Sequence, residues 1–270
     1  MALALEIVGR DEELAAIDRF LASDDPTALV VEGEAGIGKT TIWQAGTTRA
    51  REYEYLVLAT RPAEAETQLS FAALGDLFGD VRDDVLSELP APQQRALEVA
   101  LLLADASGRA PDQRAVSFAF LSALRALARA TPVLVAVDDV QWLDLPSAAV
   151  LAFTVRRLRA ERIAFLLARR LAPGSDEPPP LERAIPPERL DRLTLGPLTL
   201  GALHHLLHGN LGTAFARPRL RRVHELSGGN PFFALELGRA LARGAVALEP
   251  GQPLPVSLDA LVRDRLASLP

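Results

Sequence analysis

The sequence has no cysteine and only one lysine in 270 residues. The first absence excludes disulfides, thiolate metal sites and cysteine nucleophiles, and it fits a reducing, cytoplasmic setting. The second is more specific. Every other one of the 29 basic residues is arginine, so Lys39 is the single position carrying a compact ammonium in place of a planar guanidinium. Long apolar runs are also missing: the stretches at 28–33, 133–137 and 163–167 are far too short to span a bilayer, and no membrane partner is expected. Residues 1–14 lack a basic segment and meet acid at Glu6, so no secretory signal is predicted. A net charge of -6 with a pI near 5.4 gives no global field for nucleic acid; DNA contact would need a local patch or a part of the protein outside this sequence. Apolar residues, at 49%, are plentiful enough to build the core of one large domain or two smaller ones.

Hydrophobic periodicity organises the chain. Residues 11–22 place Leu14, Ile17, Phe20 and Leu21 on one helical face behind an acidic first turn. Residues 27–33 form a β-branched run closed by glycine, the pattern of a buried parallel strand, and 55–60, 132–139, 163–168 and 192–198 continue the series. Between them 40–51, 71–78, 93–104, 113–130 and 147–160 read as helices, and 173–180 is a proline-rich loop. Strands alternating with helices predict an α/β fold over 1–198, a three-layer parallel sheet of about five strands. After residue 198 the strand signals stop. Residues 200–207, 218–226 and 232–242 read as helices of a small all-helical domain over 199–247, and 248–255 is a linker before another helical stretch.

Gly33, Glu34, Ala35, Gly36, Ile37, Gly38, Lys39, Thr40 and Thr41 carry the pattern G-x-x-x-x-G-K-[ST] between a predicted strand and a predicted helix, which is the context that pattern requires. The glycines let the backbone curl, successive N–H groups form an anion nest, and the following helix adds its positive end. Lys39 would reach the β- and γ-phosphates of a nucleotide, and the Thr40 hydroxyl would ligate magnesium. Asp138 and Asp139 close the strand at 132–139, at the sheet edge where ligands of open α/β sheets bind. Asp138 is the candidate magnesium ligand and Asp139 the candidate general base; the bland alternative is two turn aspartates capping the next helix. Arg156, Arg157, Arg169 and Arg170 are candidate cations for a γ-phosphate, with Arg169 and Arg170 on the correct edge of the sheet.

Other signals are weaker. His204 and His208 stand at i, i+4 with no third ligand, and read as a helix surface. Arg217, Arg219, Arg221 and Arg222 lack interleaved aromatics and read as a solvated helix face. Trp142 reads as a core aromatic, and Gly228 to Pro231 as a helix stop and restart.

Four segments in order, "IVGRDEEL", "GEAGIGKTT", "VLVAVDDVQWLD" and "LSGGNPFF", resemble the ATPase region of STAND-class P-loop NTPases. More narrowly, they resemble the N-terminal AAA-type ATPase region of large ATP-binding LuxR-family transcriptional regulators. "LSFAALGDLF" and "LAFTVRRL" are similar to the same group. The resemblance implies a switch that binds ATP or ADP with Mg2+ and hydrolyses ATP weakly, with adenine chosen over guanine on this ground alone. By position it implies that Val8, Gly9 and Arg10 lie near the adenine and that Pro231 touches the base from the other side. It also implies that Asp138 and Asp139 are the paired acids, and that Arg170 is the sensor arginine with Arg169 as the register alternative. It makes 248–270 the linker and beginning of a winged helix, allows self-association in the ATP state, and leaves DNA to a C-terminal domain outside this sequence. Two rival functions stay open: a stand-alone AAA-type ATPase that remodels a partner, and a non-hydrolysing scaffold that holds ADP.

Overall fold

The structure, a computed structural model, describes residues 7–23, 28–79, 81–106, 111–171, 177–212 and 214–243, with the backbone alone for 82–84. The expected linker and winged-helix start at 248–270, and much of the proline-rich loop, lie outside the described residues.

In chain order the elements are α1 (Asp11–Ala22), β1 (Ala28–Gly33), α2 (Lys39–Glu52), β2 (Leu56–Thr60), α3 (Ala72–Phe78), α4 (Arg82–Glu88), α5 (Ala91–Ala100) and α6 (Gln113–Ala130). They continue with β3 (Val133–Val137), α7 (Leu145–Val155), β4 (Ile163–Arg170), α8 (Pro180–Arg183), β5 (Leu190–Thr194), α9 (Leu200–Leu211), α10 (Arg217–Ser227) and α11 (Pro231–Ala242). The five strands form one parallel sheet in the order β2-β3-β4-β1-β5. Parallel strands need both faces covered, and the strand sequences supply two apolar faces by alternation. Ala28, Val30, Val133, Val135, Val137, Phe165 and Leu167 face a core shared with α3 to α7. Leu29, Val31, Leu134, Ala136, Leu166 and Ala168 face a second core with Ile17 and Phe20 of α1 and Ile42 and Trp43 of α2. The result is the three-layer α/β P-loop NTPase fold.

A third apolar cluster holds Leu203 and Leu207 of α9, Leu220 and Val223 of α10, and Ala234 and Leu237 of α11. Val8 and Leu198 pack against it, so the N-terminal turn joins this helical layer to the sheet.

Some boundaries differ from the sequence expectation for physical reasons. The strand expected at 163–168 runs on to Arg170, because Glu32 and Gly33 of β1 pair in register with Arg169 and Arg170. The helix expected at 147–160 is α7, which stops at Val155; Leu158 then turns into the core and is 1% exposed. The strand expected at 192–198 is β5 at Leu190–Thr194, after which Gly196 and Pro197 break the ladder. Helices α4 and α8 carried no expectation; both are short.

Candidate functional site

The strand order places β4 between β1 and β3, so three strand ends meet at one edge. The loop from Gly33 to Gly38 leaves β1 there and enters α2, whose N-cap Gly38 has φ of 105°. That left-handed conformation strains any side chain, so the last loop position before Lys39 calls for glycine. Lys39 is buried and its Nζ donates to the Glu34 carbonyl at 2.9 Å. Burial holds its ammonium below the ordinary lysine pKa; Asp139 and Asp138 oppose this, and the charge of Arg170 adds to it.

Asp138 follows β3 and is 2% exposed. Its N–H donates to Thr60 O at 3.1 Å, continuing the β3–β2 ladder past the strand end and bringing Arg61 alongside. Arg61 Nε lies 3.4 Å from Asp138 Oδ2. Burial pushes the Asp138 carboxyl above the usual aspartate range and the Asp139 charge adds to it, against a hydrogen bond from Thr40 and the charge of Arg61. Asp138 Oδ1 is buried with no hydrogen-bond partner. A buried anionic oxygen left without a donor, next to a threonine hydroxyl, fits a hard divalent cation. Among the described residues no group of three or more His, Asp or Glu side chains could hold a metal, so such an ion would draw its other ligands from water and a phosphorylated ligand.

Asp139 adopts φ 50° and ψ 58°, the left-handed region that aspartate tolerates better than most residues. Gln141 Nε2 donates to Asp139 Oδ1 at 2.8 Å, and Gln141 Oε1 accepts from the Arg170 N–H at 3.3 Å. One glutamine therefore holds both neighbours in place.

A cavity of about 460 Å³ opens above this edge. Its floor is Ala35, Gly36, Ile37, Gly38, Lys39, Thr40 and Thr41, and Arg61, Asp139 and Arg170 stand at one side. Ile7 and Val8 wall it from the N-terminal turn, and Leu206, Pro231, Phe232 and Leu235 from the helical layer. A cationic, amide-rich floor under apolar walls suits a ligand with an anionic end and a flat apolar end.

Not every expected residue lines it. Gly33, Glu34, Gly9 and Asp138 stand behind the lining. Gly33 ends β1, where an added Cβ would meet Ile37 Cγ2 at 2.9 Å, and Glu34 contributes its carbonyl to Lys39. Gly9 packs on α9, where an added Cβ would overlap the Ala202 Cβ. Arg10 reaches the cavity, but its guanidinium is committed to protein groups: Glu13 at 2.7 Å, Ile37 O at 2.9 Å and Gly196 O at 2.9 Å. Arg156 and Arg157 are exposed at the far end of α7, and Arg157 stacks on Phe153 at 3.5 Å. Arg169 turns away into ion pairs with Glu32 at 2.8 Å and Glu182 at 3.4 Å. The His204 and His208 rings stack 6.3 Å apart on α9. Arg217, Arg219 and Arg221 are exposed, and Arg222 pairs with Glu225 at 3.1 Å. Trp142 is half-buried on a short 3₁₀ turn outside the cavity lining.

Arg61, Gln141 and Phe232 carried no expectation, and Asn230 only that of standing in a helix stop and restart. Arg61 could have been found as the residue immediately beyond an apolar strand on the ligand edge; Gln141 meets Asp139 locally but Arg170 across 29 positions, and the Asn230 amide meets Ala35 O across 195, which no local pattern signals.

A family model described as an AAA ATPase domain matches residues 6–167. The search of curated proteins returned no significant match. Among solved structures, the Signal Transduction ATPase with Numerous Domains (STAND) protein with a tetratricopeptide repeat sensor from Pyrococcus horikoshii aligns with a TM-score of 0.51 at 15% identity, over 98% of this chain and 33% of that one. The FIGL-1 AAA domain, solved in complex with ADP, aligns with a TM-score of 0.51 at 12% identity, over 97% and 83%. This chain thus spans about a third of the STAND protein's length. At such identities the likeness is one of fold.

Proposed function

Because this chain belongs to the AAA ATPase domain family, we propose that it is a STAND-class nucleotide switch that binds Mg-ATP and hydrolyses it slowly. Its larger setting in this reading is a LuxR-type transcriptional regulator, with DNA reached through a C-terminal domain outside this chain. One observation carries the proposal: a single cavity is floored by the loop holding the chain's only lysine and walled by Val8 from the N-terminal turn and Pro231 from the helical layer. A nucleotide would then bridge two layers of the molecule, and its phosphate content could bias how they pack.

The residues divide the work. Lys39 and the loop amides hold the phosphates, and Val8, Leu206 and Pro231 hold the base between apolar surfaces. Thr40 and Asp138 would hold the magnesium ion, which supplies charge neutralisation on the phosphate oxygens. Asp139, fixed by Gln141, accepts the proton of the attacking water, and Arg170 faces the developing negative charge.

Titration with a fluorescent ATP analogue tests the binding. Lys39→Ala is expected to weaken it by about 10- to 100-fold, the range for a hydrogen bond to a charged group; unchanged affinity rejects the reading. Asp139→Asn is expected to retain binding while phosphate release falls by about 10²-fold or more. Full turnover in that variant removes Asp139 from the base role.

A further inference from the structure

Four consecutive carbonyls of the phosphate loop each meet a different donor. Glu34 O accepts from Lys39 Nζ at 2.9 Å, and Ala35 O from Asn230 Nδ2 at 2.9 Å. Gly36 O accepts from the Phe232 N–H at 3.3 Å, and Ile37 O from Arg10 Nη2 at 2.9 Å. Only the first donor comes from the loop's own segment. Asn230 and Phe232 stand at the start of α11, and Arg10 at the N-terminal turn. In a planar trans peptide the N–H of the next residue points away from the carbonyl. Pinning Ala35 O and Ile37 O outward therefore turns the Gly36 and Gly38 N–H groups to the opposite side.

Asn230 is built for this task. It is 6% exposed, and its Oδ1 accepts from the N–H groups of Phe232 at 3.1 Å and Phe233 at 3.4 Å, capping α11. Serine or aspartate would cap a helix about equally well. Aspartate has no donor, and serine has a single hydroxyl for both tasks; the amide carries donor and acceptor on separate atoms, and its donor goes to the loop. The segment before it is held as well: Gly229 O accepts from the Leu198 N–H at 2.9 Å, and an added Cβ on Gly229 would meet Leu198 O at 2.8 Å.

We propose that Asn230 is a positioning residue through which docking of the helical layer sets the phosphate loop for its anion. The inference rests on the nucleotide-binding reading above and specifies its regulation. With α11 docked, the loop's carbonyls are held back and its amides face the phosphates. With α11 displaced, two of the four pins are lost. Coupling of this kind is reciprocal: a bound phosphate favours the docked helix as much as the docked helix favours the phosphate.

Asn230→Ser and Asn230→Asp both keep an oxygen cap for α11 and both remove the amide Nδ2 that meets Ala35 O; aspartate has no donor in its place, and serine only the hydroxyl that serves the cap. Two measurements on each variant decide the matter: affinity for a fluorescent ATP analogue with magnesium, and hydrogen exchange of the amides at 34–38 in the absence of nucleotide. Affinity is expected to fall about 3- to 10-fold in both, and loop exchange to accelerate in both, with thermal unfolding near that of the parent chain. Unchanged loop exchange in both variants overturns the proposal, as does weakened binding in Asn230→Asp alone, which would reflect repulsion between a carboxylate and the phosphates. The exchange arm is read without ligand. Failure of the parent chain to bind the analogue would therefore reject the nucleotide reading while leaving the grip on the loop to be judged by exchange.

Discussion

Arg169 and Arg170 end the same strand, and alternation along β4 sends their side chains to opposite faces of the sheet. Arg169 falls on the face of Phe165 and Leu167, where it joins a charge cluster with Glu32, Glu182 and Arg192; Arg192 also pairs with both acids. Glu182 is 2% exposed, so its charge depends on these partners. Arg170 falls on the face of α2, and it lines the cavity close enough for its charge to act on Lys39. The two side chains therefore differ in what their loss costs. Arg169→Ala leaves Glu32 and Glu182 with Arg192 as their remaining cation and is expected to destabilise the fold by roughly 2 kcal/mol, read from urea unfolding. Arg170→Ala is expected to leave the unfolding midpoint in place and to slow phosphate release about a hundredfold. If the two variants exchange these phenotypes, the assignment of the sensor to Arg170 is wrong.

At the scale of elements, long-range hydrogen bonds decide what a local pattern cannot. The Asp144 carboxylate caps α7 through the Ser147 N–H at 2.9 Å and also accepts from Phe71 N at 2.8 Å and Ala73 N at 3.3 Å. Ser147 Oγ accepts from Leu74 N at 3.3 Å. This pair latches the start of α3, where Phe71 has φ of 62°, onto the start of α7. Asp144→Ala removes a cap and leaves two further buried donors unpaired, so a loss of roughly 3 kcal/mol is expected, with faster amide exchange at 71–74. A loss below about 1 kcal/mol would mean that water replaces the carboxylate. Local signals were legible where the physics is local: α1 and α6 begin and end at their expected residues, α6 because Asp112 caps one end and extended Thr131 closes the other. The glycine-rich turn between β1 and α2 was legible for the same reason, since strand, glycines, lysine and helix are contiguous. The last two residues of β4 were not, because Arg169 is neutralised by Glu32 across 137 positions of sequence. Nor was Asn230, whose amide meets Ala35 O across 195.

The whole molecule carries an imbalance at the centre of its site. A buried carboxylate with an orphaned oxygen, a second acid beside it and a desolvated lysine stand together, and on the proposed reading a ligand would offset what their burial costs in stability. Asp138 has a folded pKa above its ordinary value, so the folded protein binds that proton more tightly than the unfolded chain does. Its contribution to stability is therefore present at low pH and is lost as pH rises through the folded pKa. For Lys39, whose folded pKa is lowered, the sign is opposite: its contribution to stability rises as pH rises from the folded value toward the unfolded one. Asp138→Asn removes the charge and its repulsion with Asp139. The Arg61 side chain it releases is 58% exposed and stays solvated. The variant is thus expected to melt above the parent chain near neutral pH without nucleotide, with the advantage shrinking as pH falls toward the folded pKa of Asp138. It should also lose the strengthening of nucleotide binding by magnesium, because the remaining amide is a poor ligand for a hard divalent ion. Thermal melts across a pH series, with and without the analogue and magnesium, read both effects. A variant less stable at every pH would show that the buried carboxylate is a structural group rather than a site held ready for a cation.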